Sequence, residues 1–358
     1  FCTLLKRSGD KSIFPVLRQK MFRKFISRVQ SVQPRPSEWT NRLGPAALVG
    51  LDGRIGNSGS SLVDYVMKDS RECDHYAELQ FHDGKEPIEL PPETVTFLPT
   101  LNCGSLSVPA SDPPQPTGAS DAEWYLAANE VSTALYEKGY TMVNVGGDGS
   151  MTLPMLESYK RVFPEDEVIL IHLSAYPTVS NPASSVRVAM EKNIVKGVIS
   201  IANRSVTAED RKLRKQFKMF YMDLYAIYGK GLFCIRDIRN DYPVFLSIDL
   251  GVLDPSCAPG VERPVSGGLS VRDALHIING IRGPKIAGVD IHGYCPNLDI
   301  TRPDGVGLTQ MAGSMLVKES IFKVFGISNV TEKEGIERMK MMQRQGQIAA
   351  ENPYPEFQ

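Results

Sequence analysis

The feature that most constrains this chain is a series of apolar runs with no polar alternation, spaced by helical stretches. They are Thr141–Val145 and residues 168–173, 195–201, 244–250 and 286–291, preceded by Ala46–Leu51. A strand with one wet face alternates polar and apolar residues, whereas a strand covered on both faces reads apolar throughout. Helical spacing lies between the runs: residues 121–138 behind Ser120-Asp121, a stretch through Met155 and Leu156, and residues 208–229, 271–281 and 311–324. This alternation predicts an α/β fold with a parallel sheet between two helical layers. In such sheets ligands sit beyond the carboxyl ends of the strands. The loops after Val145, Leu173, Leu250 and Ile291 are therefore the expected place for chemistry.

Composition narrows the function classes. Lys plus Arg number 40 against 41 Asp plus Glu, a net charge of −1, so no global field attracts nucleic acid or an anionic membrane. No apolar run reaches the ~18 residues of a membrane span. Six cysteines occur without a C-x-x-C pair, which argues against a zinc ribbon or a disulfide framework and for reduced thiols inside a cell.

Three segments stand apart from the α/β alternation. Residues 11–37 hold seven basic residues and no acidic one. That composition suits either a mitochondrial transit peptide or a basic helix on the surface; the expected location is intracellular, the cytoplasm ahead of the mitochondrion. Residues 87–117 contain eight prolines and read as an irregular excursion with at most short edge strands. Gly53, Gly56 and Gly59 follow the first apolar run without the G-x-G-x-x-G spacing, and no clear helix opens after them, so they read as an ordinary turn.

The loops carry specific motifs. The longest is Ser247-Ile248-Asp249-Leu250-Gly251, continuing through Asp254-Pro255 and Ala258-Pro259-Gly260 to Gly267-Gly268-Leu269. The others are Gly146-Gly147-Asp148-Gly149-Ser150, Ser174-Ala175-Tyr176-Pro177-Thr178, and Gly288-Val289-Asp290-Ile291-His292-Gly293-Tyr294-Cys295-Pro296. Together they resemble the signatures of the arginase and agmatinase (ureohydrolase) family, S-x-D-x-D-x-x-D-P-x-x-A-P-G with G-G-L, G-G-D-H-S, D-A-H-x-D and G-x-D-x-x-E-x-x-P. The resemblance spans roughly residues 44–326. It implies a three-layer α-β-α fold with a mostly parallel eight-stranded sheet of arginase/deacetylase type. It also implies one domain over residues 41–330, between a basic extension (1–40) and a C-terminal helix and tail (331–358).

The family holds two Mn²⁺ ions bridged by a hydroxide, which attacks a guanidinium carbon. Carried over position by position, the resemblance places its six metal ligands at Gly149, Ser174, Tyr176, Thr178, Asp249 and Gly251. Only Asp249 keeps a ligand side chain. The Glu that binds the guanidinium falls on Gly293, and the family's S-G-N-x-H-G run has no counterpart between residues 179 and 201. Residues that shape the loops persist: Gly147, Asp148, Asp254, Pro255, Pro259, Gly260, Gly267, Gly268 and Pro296. The pattern resembles the metal-free arginase-like proteins of trypanosomatids.

The expectation is an arginase-like protein that has lost its binuclear manganese site. It would have no catalytic residue, no metal and no cofactor, and a binding, sensing or interaction role. The alternative is a ureohydrolase acting on a guanidino substrate through an altered metal site. A substitute site from Asp249, Asp254 and Glu262 lacks any His. The histidines His75, His82, His172, His276 and His292 read as packed or surface residues. His172 and Ser174, two apart on a strand, are too far from each other for a nucleophile–base pair. Because the loops persist, restoring ligands at positions 149, 174, 176, 178 and 251 is expected to restore metal binding. The resemblance further implies a homotrimer, with Ile336, Met339, Met341 and Met342 available for a contact; no nucleic acid or membrane partner is expected, and the residues name no small-molecule ligand.

Overall fold

The computed structural model of the protein describes residues 27, 29, 30, 46–51, 58–69, 78–82, 97–106, 123–230, 241–281 and 285–325. The remainder of the basic segment, most of the proline-rich segment and the C-terminal helix and tail lie outside the described residues, as do the four residues suggested for a trimer contact.

Among the described residues nine strands form one sheet: β1 (Ala46–Leu51), β2 (Glu78–His82), β3 (Phe97–Leu106), β4 (Thr141–Val145), β5 (Ile169–Leu173), β6 (Gly197–Asn203), β7 (Phe220–Asp223), β8 (Val244–Asp249) and β9 (Ile286–His292). Their order is β2-β3-β1-β4-β9-β8-β5-β6-β7, and every pairing is parallel. The three-layer α/β architecture is thus as the sequence indicates, with nine strands where eight were expected.

The apolar strands alternate their side chains between two cores. Leu48, Val143, Val289, Leu246 and Ile171 face α1 (Ser58–Asp69), α6 (Leu224–Lys230), α7 (Val271–Gly280) and α8 (Leu308–Val324). Ala47, Met142, Phe245 and Leu170 face α2 (Glu123–Glu137), α3 (Thr152–Val162), α4 (Ser185–Glu191) and α5 (Ala208–Gln216). Each fully buried aliphatic or Phe side chain contributes about 1.5–3 kcal/mol, so the two cores dominate stability. Capping boxes start α5 at Thr207 with Asp210 and α7 at Ser270 with Asp273. Helix α8 packs on both α1 and α7, and Gln310 Nε2 donates to Ser61 O (2.8 Å) and Oγ (3.0 Å).

Three sequence expectations change. A helix does follow the first glycine loop: α1 buries Leu62, Val63 and Val66 against the sheet. Residues 208–229 are not one helix. They form α5, the edge strand β7 and α6, and the break falls beside Lys218, whose φ of 52° no helix continues. The proline-rich segment contains a ten-residue strand, β3, inside the sheet. Its Pro99 is tolerated because the ladder to β1 begins only at Leu101, so at Pro99 the strand is paired with β2 alone.

Candidate functional site

Parallel register brings residues distant in sequence into two polar rows near the carboxyl ends of the central strands. In the lower row Asn144 pairs with Asp290, Asp290 with Ser247, Ser247 with His172, and His172 with Ser200. One turn of the pleat higher, Asp249 lies opposite His292, and Ser174 just past β5 reaches Asp249.

The upper row contains the positions singled out in the sequence. Ser174 is fully buried, and its Oγ donates to Asp249 Oδ2 at 2.8 Å while accepting from Tyr176 N at 3.1 Å. Gly251 N donates to Asp249 Oδ1 at 2.8 Å, so Asp249 caps the short 3-10 turn Leu250–Val252. An ideal Cβ on Gly293 would stand 2.8 Å from Asp249 Oδ1, and one on Gly251 would stand 3.1 Å from it. Gly293 also has φ +89°, which favours glycine. Gly149 faces the ring of His292. Tyr176 is half-buried and carries the guanidinium of Arg263 over its ring, 4.8 Å from the centroid. Thr178 takes φ 57°, an unusual conformation for a β-branched residue. Ser174, Gly251, Gly293 and Asp249 are thus in direct neighbourhood, whereas Tyr176 turns to Arg263.

The lower row is a buried hydrogen-bond network that the sequence did not reveal. Thr152 Oγ1 donates to Asp290 Oδ2 (2.6 Å), and Asn144 Nδ2 donates to Asp290 Oδ1 (2.8 Å). Burial raises the pKa of Asp290. Ser247 Oγ lies 3.1 Å from Thr152 Oγ1, 3.2 Å from His172 Nδ1 and 3.3 Å from His292 Nε2. With Thr152 donating to Asp290, the Ser247 hydroxyl donates to Thr152 and accepts from both rings. This assigns Nδ1–H to His172 and Nε2–H to His292. The rings lie near-parallel, 6.4 Å apart. Burial, and then the proximity of His292, push the pKa of His172 down to about 4, so the ring is neutral at physiological pH. Its Nε2 is buried and has no hydrogen-bond partner among the described residues. The histidines were read separately along the chain; only strand register, unavailable to a linear reading, joins them to Ser247.

The surrounding loops are tied by charge to backbone. Arg204, just beyond β6, donates from Nε and Nη2 to Val265 O (3.1 and 2.6 Å), from Nη1 to Val252 O (3.0 Å), and from Nη2 to Gly251 O (2.9 Å) and Leu253 O (3.2 Å). Asp254 accepts from the backbone N–H of Ser256 (3.0 Å), Gly267 (2.8 Å) and Gly268 (2.9 Å); the Ser256 side chain first, and then these backbone N–H groups, lower its pKa to about 2. Gly268 permits this turn because a Cβ there would be 2.4 Å from Asp254 N. Glu262 is exposed. Among the described residues no three His, Cys, Asp or Glu side chains form a group that could hold a metal ion. Of the described cysteines, Cys103 and Cys295 are buried and Cys257 is half-buried. No described helix is long and apolar enough to cross a membrane.

The parallel sheet, the Asp254 turn and the glycine loops around Asp249 define the class: the arginase family model matches residues 75–322, and the chain belongs to that family. More particularly, the chain is similar to the wild-type arginase-like protein of T. brucei, with 56% identity over 88% of this chain and 98% of that one and a TM-score of 0.78. That relative has also been solved as a triple variant, two Ser→Asp and one Arg→His, bound with Mn²⁺. Arginase 1, mitochondrial, of rice (Oryza sativa subsp. indica) is 29% identical over 211 residues, 56% of this chain and 60% of the rice protein. An Escherichia coli agmatinase is 27% identical over 194 residues, 52% of this chain and 61% of its own length. The match therefore spans about three-fifths of these curated relatives. The Medicago truncatula arginase, 19% identical with a TM-score of 0.64, shares the fold, covering 88% of this chain and 99% of its own.

Proposed function

We propose that this chain is an arginase-family protein that has lost the binuclear manganese centre and acts by binding, sensing or interaction rather than by hydrolysis. The observation that carries this reading is the state of Asp249. Of the six positions where the family resemblance places ligands (Gly149, Ser174, Tyr176, Thr178, Asp249 and Gly251) it alone bears a carboxylate or imidazole. Both its oxygens are already engaged, one by Ser174 Oγ and one by Gly251 N. Neutral hydroxyls and glycines are a poor donor set for Mn²⁺, which prefers carboxylate, imidazole and water. The residues present do not fit two metal ions. In the T. brucei relative, the form solved with Mn²⁺ carries introduced Asp and His residues, which agrees with a need for such ligands here. Gly293 likewise offers nothing to a guanidinium.

The reading extends to one arginase-fold domain over residues 41–330, a homotrimer and an intracellular setting, each resting on the family resemblance. The test is dialysis of purified protein against Mn²⁺ followed by elemental analysis and a urea-release assay. Far less than one Mn per chain and no urea from arginine or agmatine are expected. Stoichiometric Mn, or urea release that disappears in Asp249→Ala, would establish the hydrolase instead.

A further inference from the structure

The space in front of Gly149 is already taken. An ideal Cβ at Gly149 comes within 3.1 Å of His292 Cε1, 3.5 Å of Nε2 and 3.7 Å of Nδ1, so a side chain extending from 149 meets the imidazole at once. The backbone cannot back away. Gly146 N donates to Ile291 O (2.8 Å) and Gly293 N to Gly147 O (3.0 Å), which fixes the two loops to each other. Ser185 Oγ, from α4, holds Gly149 O at 2.6 Å from the other side. The ring is equally confined. It is 5% exposed, hydrogen-bonded to Ser247 Oγ through Nε2, and stacked near-parallel on His172.

We propose that His292 has taken over the volume of the imidazole that the family carries at position 149, and that it keeps this half of the site closed to metal even when ligands are supplied. Glycine at 149 and histidine at 292 are then one coupled arrangement, not two independent substitutions. Supplying ligands at 149, 174, 176, 178 and 251 is therefore insufficient while His292 remains. The identity of 149 as a former ligand position rests on the reading above; the steric coupling does not.

The experiment is a thermal double-mutant cycle with a metal arm. Gly149→His and Gly149→Ala are each made in the unsubstituted protein and together with His292→Ala. Overpacking in a pinned site lowers the melting temperature by about 5 °C for Gly149→His when His292 is present, and by under about 2 °C when it is not. If Gly149→His does not fold, Gly149→Ala carries the cycle with the same sign and a smaller shift. Equal decrements in both backgrounds overturn the proposal. In the metal arm, the variant with Gly149→His, Ser174→Asp, Tyr176→His, Thr178→Asp and Gly251→Asp is dialysed against MnCl₂ with and without His292→Ala. More Mn per chain with the sixth substitution supports the proposal. Two Mn per chain without it, or no gain from adding it, overturns it. Mn bound by the unsubstituted protein, measured in parallel, would end the metal-free reading while leaving the thermal cycle to decide the role of His292.

Discussion

Asp249 and Asp254 stand five residues apart in the same motif and are held in opposite ways. Asp254 is held by three backbone N–H groups, from Ser256, Gly267 and Gly268. Asp249 is held by one side chain, Ser174, and one backbone N–H, Gly251. A carboxylate that satisfies backbone donors shapes the chain whatever the neighbouring side chains are, since every residue but proline supplies an N–H. A carboxylate whose purpose depends on other side chains loses that purpose when they change. The turn around Asp254 rests on backbone donors, while around Asp249 stand a hydroxyl and glycines, at positions where the proposed reading places the family's charged ligands.

The contrast makes its strongest prediction at Asp254. Losing three charge-assisted bonds in Asp254→Ala should cost about 3 kcal/mol, read by urea denaturation. Asp254 also has a depressed pKa, about 2 against an ordinary 3.8. Its contribution is full above the unfolded value and is lost as pH falls from 3.8 through about 2. An Asp254→Ala protein with the acid limb and stability of the unsubstituted chain would break the comparison.

Arg204 extends the same principle with opposite charge, since its five bonds all end on carbonyl oxygens. Arg204→Ala should cost about 2 kcal/mol and expose residues 250–268 to limited proteolysis. Arg204→Lys should recover less than half of this, because an ammonium has no planar fork to span four carbonyls. Full recovery by Lys would mean that charge alone matters.

At Asp249 the effect should be small. Asp249→Asn can still accept from Gly251 N and meet Ser174, so the cost should stay under about 1 kcal/mol in the same denaturation experiment. A loss as large as that of Asp254→Ala would erase the distinction between the two aspartates. Smallest of all is the response to metal: if the proposed metal-free reading holds, no binding is coupled to folding and the melting temperature should be the same in EDTA and in excess Mn²⁺. A drop of several degrees in EDTA would reveal a structural metal.

Most central strands and the motif loops were legible because burial on both faces leaves a continuous apolar run. Thr141–Val145 has the bounds read from the sequence, and β5, β8 and β9 differ by a residue at one end. The region 208–229 misled because Phe220, Tyr221 and Met222 form an edge strand whose outer side chains stay exposed, so no burial pattern separates it from the helices. Helix α1 was hidden by its Ser58-Gly59-Ser60-Ser61 start, a composition poor in helix formers. In the site, Asp249, Gly251 and Ser174 were found through their motifs. The pairing of His172 and His292 through Ser247 was not, since contacts across 75 and 45 residues arise from register alone.

The bond from Gln310 to Ser61 joins residues 249 positions apart. It bears on the order in which the chain can fold. Helix α1 lies against β1 near the start of the described fold, but part of its cover is α8, near the end. During synthesis at roughly 5–20 residues per second, α1 would wait on the order of ten seconds or more for that cover. Long-range closure of this kind slows folding, because loop entropy is lost before the contact is gained. The α1–α8 seam can therefore close only when nearly all of the described fold has been made.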